Sequence, residues 1–394
     1  MASSKSRPIC LRKWFAAHQH SRAINLHKSA SVQQLIAAPI KKFVRDKIIK
    51  TEWQIAEYCM QSLQHFRSAK PSSYPDQSVY AEYACAEFGL SFVDIDGGSG
   101  LLFSVTAASK TIHFGAGRCS WFPQNNATAA TLATDKYFTG MILERAGVPT
   151  LGGEYFFLHD RHRAHRGAGH ERQDALEYLR KLGGTAFVKP LMGSRGDFAQ
   201  LVCDQASLVG YLDEVSKYYD SIMIQPVVSG VEYRVFLLDD EVVYTARKYP
   251  PFVLGDGALT IRELLAAHNE GLRARGVSPA APGAERDASL DVVLPKGVRW
   301  EIPGRMNLSA GGTMVLEAPQ SDAALTMARE AARALGLRVA AVDMFTDIAG
   351  DPEAIRVIEV NSNPSIRLLE ESGRGDLILK IWHHTFSAME LLGV

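Results

Sequence analysis

No two cysteines in this chain have CxxC spacing, and the five present (Cys10, Cys59, Cys85, Cys119, Cys203) are scattered and odd in number. That argues against a disulfide-stapled secreted scaffold and for a reducing cytoplasm, with the cysteines buried and structural. No apolar run approaches the roughly 20 residues that span a bilayer. The opening segment "MASSKSRPICLRKWFAAHQHSR" lacks a continuous apolar core, so it does not read as a secretory signal. It is basic and poor in acids, which leaves open a transit-like segment or a flexible docking arm. Charge of one sign is not in excess: Lys+Arg and Asp+Glu each number 43. No global field draws the chain to nucleic acid or to a membrane. No internal repeat or low-complexity tract stands out. The GxxxxGK[ST] spacing of a phosphate-binding P-loop is missing, which excludes a P-loop kinase.

What is present is ordinary globular composition over 394 residues, 46% hydrophobic and 22% charged, enough for two or three domains. Residues 1–30 read as an arm. Helical periodicity follows over 31–69, and "VYAEYACAEFGL" reads as a helix stopped by Gly89. "SFVDIDGGSGLLFSV" reads as a hairpin and "KTIHFG" as a further strand. This makes a small N-terminal α/β unit over 31–120. A second phase, 121–394, starts with a helix near Asp135 that ends at Gly147 before Pro149. Strands and helices alternate from there to "AIRVIEVNSNPS", with a charged Ala/Pro/Gly-rich stretch from 255 to about 300.

Five features in order carry chemistry. Lys136 follows Asp135 at a helix start. Lys189 ends the strand "AFVKP" before the loop "LMGSRGD". "QPVVSGVEYRV" follows a strand. Asp343 sits in "AVDMF", and Glu359 and Asn361 share one face of "VIEVN" because side chains alternate. Taken alone, Lys136 is a solvated charge at a helix start. Gly193 and Gly196 let backbone N–H groups approach an anion, so the Lys189 loop is less bland. Asp343 in an apolar strand needs a partner. Three oxygen donors on two adjacent strands suit Mg²⁺, or they form a hydrogen-bonded turn before Pro364.

In this order the features resemble the ATP-grasp superfamily of carboxylate–amine ligases over roughly 118–394. "VIEVNSNPSI" and "DKYFTGMILERAGVPT" are the most specific parts. "ARKYPPFVLGDGALTIRELLAAHN" and "NLSAGGT" resemble segments of the ATP-grasp part of cyanophycin synthetases and bifunctional glutathione synthetases. The partner domains of those enzymes are expected to be missing, which points to specialised small-molecule or peptide biosynthesis. The resemblance implies an ATP-grasp fold, two α+β subdomains gripping ATP, with a lid subdomain over about 150–228. It implies phosphate contacts from Lys136, Lys189 and the lid residues Gly193, Ser194 and Gly196. Adenine would lie against Gln225, Pro226, Val227 and Val228, and ribose on Glu232. Asp343, Glu359 and Asn361 would hold Mg²⁺, with Mn²⁺ as an alternative. A substrate carboxylate would be phosphorylated by ATP, and an amine would displace the phosphate, with Arg234, Arg305, Gly311 and Gly312 stabilising the oxyanion. The alternatives are a Glu232 salt bridge for Arg234 and a solvated loop for Arg305.

Many relatives carry Arg two residues before the first magnesium Asp, where this chain has Ala341. Arg247 or Arg305 is then the expected replacement, and the role of Lys248 stays open. His159, His162, His165 and His170 lie in an Arg-rich loop that repels a cation. His113 and Arg118 are candidates for the substrate site, and so are Ser365 and Arg367; a buried hydrogen-bonded His is the other reading of His113. The expected partners are small amino acids or peptides and a second copy of the chain. The competing reading is a nucleotide-binding regulatory protein with a decayed site, for which Ala341 is the main support. Carboxylation with bicarbonate ranks last, since no biotin-type segment is present.

Overall fold

Apolar–polar alternation over 231–249 becomes two long paired strands, and the acidic pair Asp239–Asp240 makes the turn between them. These strands anchor the larger sheet in the computed structural model. It describes residues 57, 59–115, 120–193, 196–274, 290–302 and 312–392, all within one compact unit, Glu57–Val394. Readings for 1–56, and for Arg118, Ser194, Arg305 and Gly311, lie outside the described residues.

A helical stretch over 59–68 leads to helix α1 (Asp76–Phe88), which ends on Gly89 in the left-handed region, φ 72°. α1 starts three residues before the expected Val79, directly after Pro75, whose fixed φ suits a helix entry. Strands β1 (Ser91–Asp94), β2 (Leu102–Ala107) and β3 (Lys110–Gly115) form the expected hairpin and third strand, in order β1-β2-β3.

The remainder is a mixed α/β assembly of antiparallel sheets, as expected. Helices α2 (Ala127–Leu132) and α3 (Lys136–Arg145) come first. A four-stranded sheet follows, from β4 (Glu154–Phe157), β5 (Ala186–Pro190), β6 (Gln200–Val202) and β7 (Ser221–Gln225), in order β4-β7-β5-β6. Helices α4 (Arg172–Lys181) and α5 (Gln205–Val215) cover one face of it, burying Leu179, Leu208 and Leu212 against Phe156, Val188 and Ile222.

The larger sheet has five strands: β8 (Val231–Leu238), β9 (Glu241–Tyr249), β12 (Thr313–Leu316), β13 (Val339–Thr346) and β14 (Arg356–Asn361). Its order is β12-β9-β8-β13-β14. Helix α7 (Asp322–Leu335) packs on one face through Ala324, Ala328, Ala331 and Ala332, small side chains that allow close approach.

Two parts of the fold depart from the sequence reading. The stretch 255–300 is not simply a charged loop: between β10 (Phe252–Leu254) and β11 (Arg299–Glu301) it holds helix α6 (Ile261–Ala274). Thr260 and Glu263 exchange hydrogen bonds at its start, a capping box, while Ile261, Leu265 and Leu272 are buried. After Ile366 come α8 (Arg367–Glu371) and α9 (Gly375–Ala388), which the sequence reading did not anticipate.

Candidate functional site

Alternation along the larger sheet sorts its side chains by face. Tyr233, Val235 and Leu237 of β8, with Ala340, Val342 and Met344 of β13, enter the core with α7. The opposite face carries Glu232, Arg234, Asp343, Glu359 and Asn361. Asp343 stands opposite Arg234 on β8 and Glu359 on β14, so three charged residues line up across three strands.

Asp343 is 1% exposed, and a carboxylate so buried persists only if paired. Arg234 grips it with two bonds, Nε to Oδ1 and Nη2 to Oδ2, each 2.7 Å. Lys248 Nζ adds a third, to Oδ2 at 2.8 Å, and also donates to Glu232 Oε1. Burial alone would raise the Asp343 pKa; Arg234 and Lys248 hold it well below the usual carboxylate range. Burial opposes charge on Lys248, but Asp343 and Glu232 outweigh it and raise its pKa. The Glu232 salt bridge weighed for Arg234 is thus made by Lys248. Period-2 reading of β9 carried the signal for it, since Lys248 and Arg247 must point to opposite faces.

Two lysines approach from other elements of the same unit. Asp135 caps α3 by accepting from the backbone N–H of Tyr137 and Phe138, which places Lys136 on the first turn. Lys136 Nζ donates to the carbonyls of Leu191 (3.3 Å) and Gly193 (2.6 Å), tying α3 to the glycine loop. Burial lowers its pKa, with Glu359 the main opposing charge. Lys189 at the end of β5 is 5% exposed, and its ammonium has no hydrogen-bond partner among the described residues. Burial pushes its pKa down to about 8 against the pull of Glu359.

Gln225 ends β7, buried, with Nε2 donating to Gly152 O at 2.7 Å and Oε1 unpartnered. Val227 is exposed, and Pro226 and Val228 are half-buried. Gly153 has φ 119°, and a Cβ there would meet Ile224 O at 2.6 Å, so glycine is required beside this segment.

No protein-family model matches the chain. It is 29% identical over 257 residues to a cyanophycin synthetase of Trichormus variabilis, covering 60% of this chain and 27% of that protein. It is 26% identical over 269 residues to the glutathione biosynthesis bifunctional protein GshAB of Enterococcus faecalis, covering 62% and 34%. Both likenesses support the ATP-grasp resemblance. It spans only about a third or less of those relatives' own lengths. A bifunctional glutathione synthetase structure from Pasteurella multocida aligns with 77% of the chain and 44% of its own at 17% identity, TM-score 0.46.

For an ATP-grasp protein, the donor set has to suit a hard divalent cation. Two carboxylates and an amide oxygen do so chemically. Asn361 Nδ2 donates to Glu359 Oε1 at 3.2 Å, leaving its amide oxygen available as a ligand. Glu359 and Asn361 fit as they stand; Asp343 fits once one of its two cations lets go. Among the described residues no group of three His, Cys, Asp or Glu side chains forms a ready-made metal cluster.

The other residues scatter. Gly312 is buried just before β12, and Gly196 has φ 64°. Arg247 lies on the core-side face opposite Tyr233 and pairs with Glu317 at 3.2 Å, so it does not stand in for the Arg missing at Ala341. The cations beside Asp343 are Arg234 and Lys248 instead. His113 on β3 is exposed rather than buried. His170 stacks on Tyr155 at 4.0 Å, while His159, His162 and His165 are exposed. Arg367 pairs with Glu371 and Asp76. Cys59 and Cys85 are buried, but Cys203 is exposed before α5.

Sequence reasoning missed Asn125. Its Nδ2 donates to Val339 O (2.8 Å) and Ser362 O (2.9 Å), and its Oδ1 accepts from the N–H of Arg338 and Val339. It clamps the start of β13 to the end of β14. An Asn beside the helix-capping Asn126 gave no signal of that.

Proposed function

We propose that this ATP-grasp protein is an ADP-forming ligase joining the carboxylate of an amino acid or peptide to an amine, in specialised small-molecule or peptide biosynthesis. One observation carries the reading: Lys136 and Lys189 sit within the field of Glu359, which stands opposite Asp343 across the sheet and accepts a hydrogen bond from Asn361. Buried ammonium groups next to hard oxygen donors suit a polyphosphate with its metal, and little else uses both.

In this reading Lys136, Lys189 and the 193–196 loop bind the ATP phosphates. Gln225, Pro226, Val227 and Val228 hold adenine, and Glu232 holds ribose. Asp343, Glu359 and Asn361 would hold Mg²⁺ (or Mn²⁺), which supplies charge withdrawal from the phosphate oxygens. The substrate carboxylate attacks the γ-phosphorus and ADP leaves, forming an acyl phosphate. The amine then attacks the acyl carbon and phosphate departs. Arg234, Arg305 and the backbone at Gly311–Gly312 stabilise the oxyanion of that second step. The lid over about 150–228 excludes water from the acyl phosphate. The proposal includes the division into an arm (1–30), a substrate-side domain (31–120) and the ATP-grasp domain (121–394), and a cytoplasmic homodimer. No described helix is long and apolar enough to cross a membrane.

Arg234 and Lys248 beside Asp343 weigh against the regulatory reading, because Ala341 leaves the site with cations from neighbouring strands. The deciding experiment is an ADP-release screen over a matrix of amino acids and amines, read by product mass. ADP and phosphate release that requires both a carboxylate and an amine is expected. AMP formation with every pair tried refutes the ligase reading.

A further inference from the structure

Lys248 holds two carboxylates at once while only 8% exposed, donating to Glu232 Oε1 and to Asp343 Oδ2. Arg234 holds the same Asp343 from Nε and Nη2. Two positive charges therefore rest on a carboxylate that, on the ligase reading above, also meets a divalent cation. The two contacts differ in kind. The guanidinium fork makes two parallel bonds whose geometry both strands enforce, since Arg234 and Asp343 are register partners. The lysine makes one point contact to Asp343 from a flexible stem, and Asp343 has no register partner on β9. Lys248 is the partner that exchanges more readily.

The charge around it shows where it would go. Lys136, Lys189, Lys248 and Arg234 face Glu232, Asp343 and Glu359, with Asp135 beside Lys136. Four cations against four carboxylates leave the cluster without net negative charge. A divalent cation arriving alone makes it positive and must break the contact between Lys248 and Asp343. A polyphosphate arriving with it reverses the balance and offers Lys248 a new anionic partner.

We propose that Lys248 is the resident counter-ion of the metal site, holding Asp343 and Glu232 in place and yielding Asp343 to the divalent cation when nucleotide arrives. Lys248 is a positioning residue in this role. Metal alone binds weakly, and metal and nucleotide bind with positive coupling.

The test titrates Mn²⁺ into nucleotide-free wild type and K248M, read by the electron paramagnetic resonance signal of free Mn²⁺. Nucleotide-free K248M binds Mn²⁺ about tenfold more tightly than wild type, within the usual range of coupling between sites. A second titration with AMP-PNP present, corrected for Mn²⁺ held by the nucleotide in solution, shows strong coupling in wild type and little in K248M. A purely structural Lys248 lowers stability when replaced but leaves this coupling unchanged. Equal or weaker nucleotide-free Mn²⁺ binding by K248M overturns the proposal. If K248M does not fold, the double variant K248M/E232Q, which removes both charges of that ion pair, takes its place with the same expectation. Wild type that binds no AMP-PNP refutes the ligase reading, while the nucleotide-free comparison still decides the role of Lys248.

Discussion

Lys189 shows how one residue reports on the site. Its pKa lies near 8 because burial strips water from the ammonium. In the unfolded chain the value is 10.5. Between about 8 and 10.5 the unfolded chain therefore binds the extra proton, and this group's contribution to stability rises with pH; below about 8 the burial cost is fully present. Ligand binding runs the other way. Nucleotide affinity, measured by isothermal titration calorimetry, is expected to decline as pH rises through about 8, when Lys189 loses its charge. Lys189→Arg keeps its charge and flattens the profile. A wild-type affinity that is level from pH 7 to pH 9 removes Lys189 from the phosphate site. At the same scale, Lys248→Met strips buried Glu232 of its cation and leaves Asp343 with Arg234 alone, and is expected to cost about 3–5 kcal/mol in urea unfolding.

At the scale of elements, the site depends on how strand ends are held. Asn125 makes four hydrogen bonds that join the start of β13 to the residue after β14. Asn125→Ala leaves buried backbone groups unpaired, and the expected loss is about 3 kcal/mol by urea unfolding, since each such group costs about 1–3 kcal/mol. Mn²⁺ binding is expected to weaken as well, because Asn361 precedes Ser362, whose carbonyl Asn125 holds. α7 needs its entry too: Ser321 Oγ accepts from Ala323 N–H at 3.1 Å. Most elements were legible because their cause is local. Asp135 and Gly336 mark a helix start and a helix end by their own chemistry. α6 was legible as well, in the Thr260–Glu263 spacing, but the surrounding Gly, Pro and charge masked it. Asn125 was not, since its partners lie more than 200 residues away.

On the scale of the whole molecule, the C-terminal helix closes the N-terminal layer onto the rest. Trp382 and Phe386 of α9 pack against Phe114 at 5.9 and 6.2 Å, and Phe88 of α1 meets Phe386 at 6.5 Å. Arg67 grips Glu370 by two bonds, and Tyr80 donates to the same carboxylate. Gln77 reaches Pro364 O, so this layer also touches the loop leaving β14. Trp382→Ala is expected to cost about 3–5 kcal/mol, read as a lowered Tm, because it empties a fully buried aromatic site. A Tm within a degree of wild type contradicts that role. The sequence alone determined the strand and helix periods, the caps, and which side chains are candidates for phosphate or a divalent cation, because these follow from local geometry and side-chain chemistry. Only the tertiary structure decided the pairings: that Arg234 and Lys248 both answer Asp343, that Arg247 turns away, and that α9 completes the N-terminal core. Those outcomes depend on strand order and on charges brought together from distant segments, where burial makes every unpaired group costly.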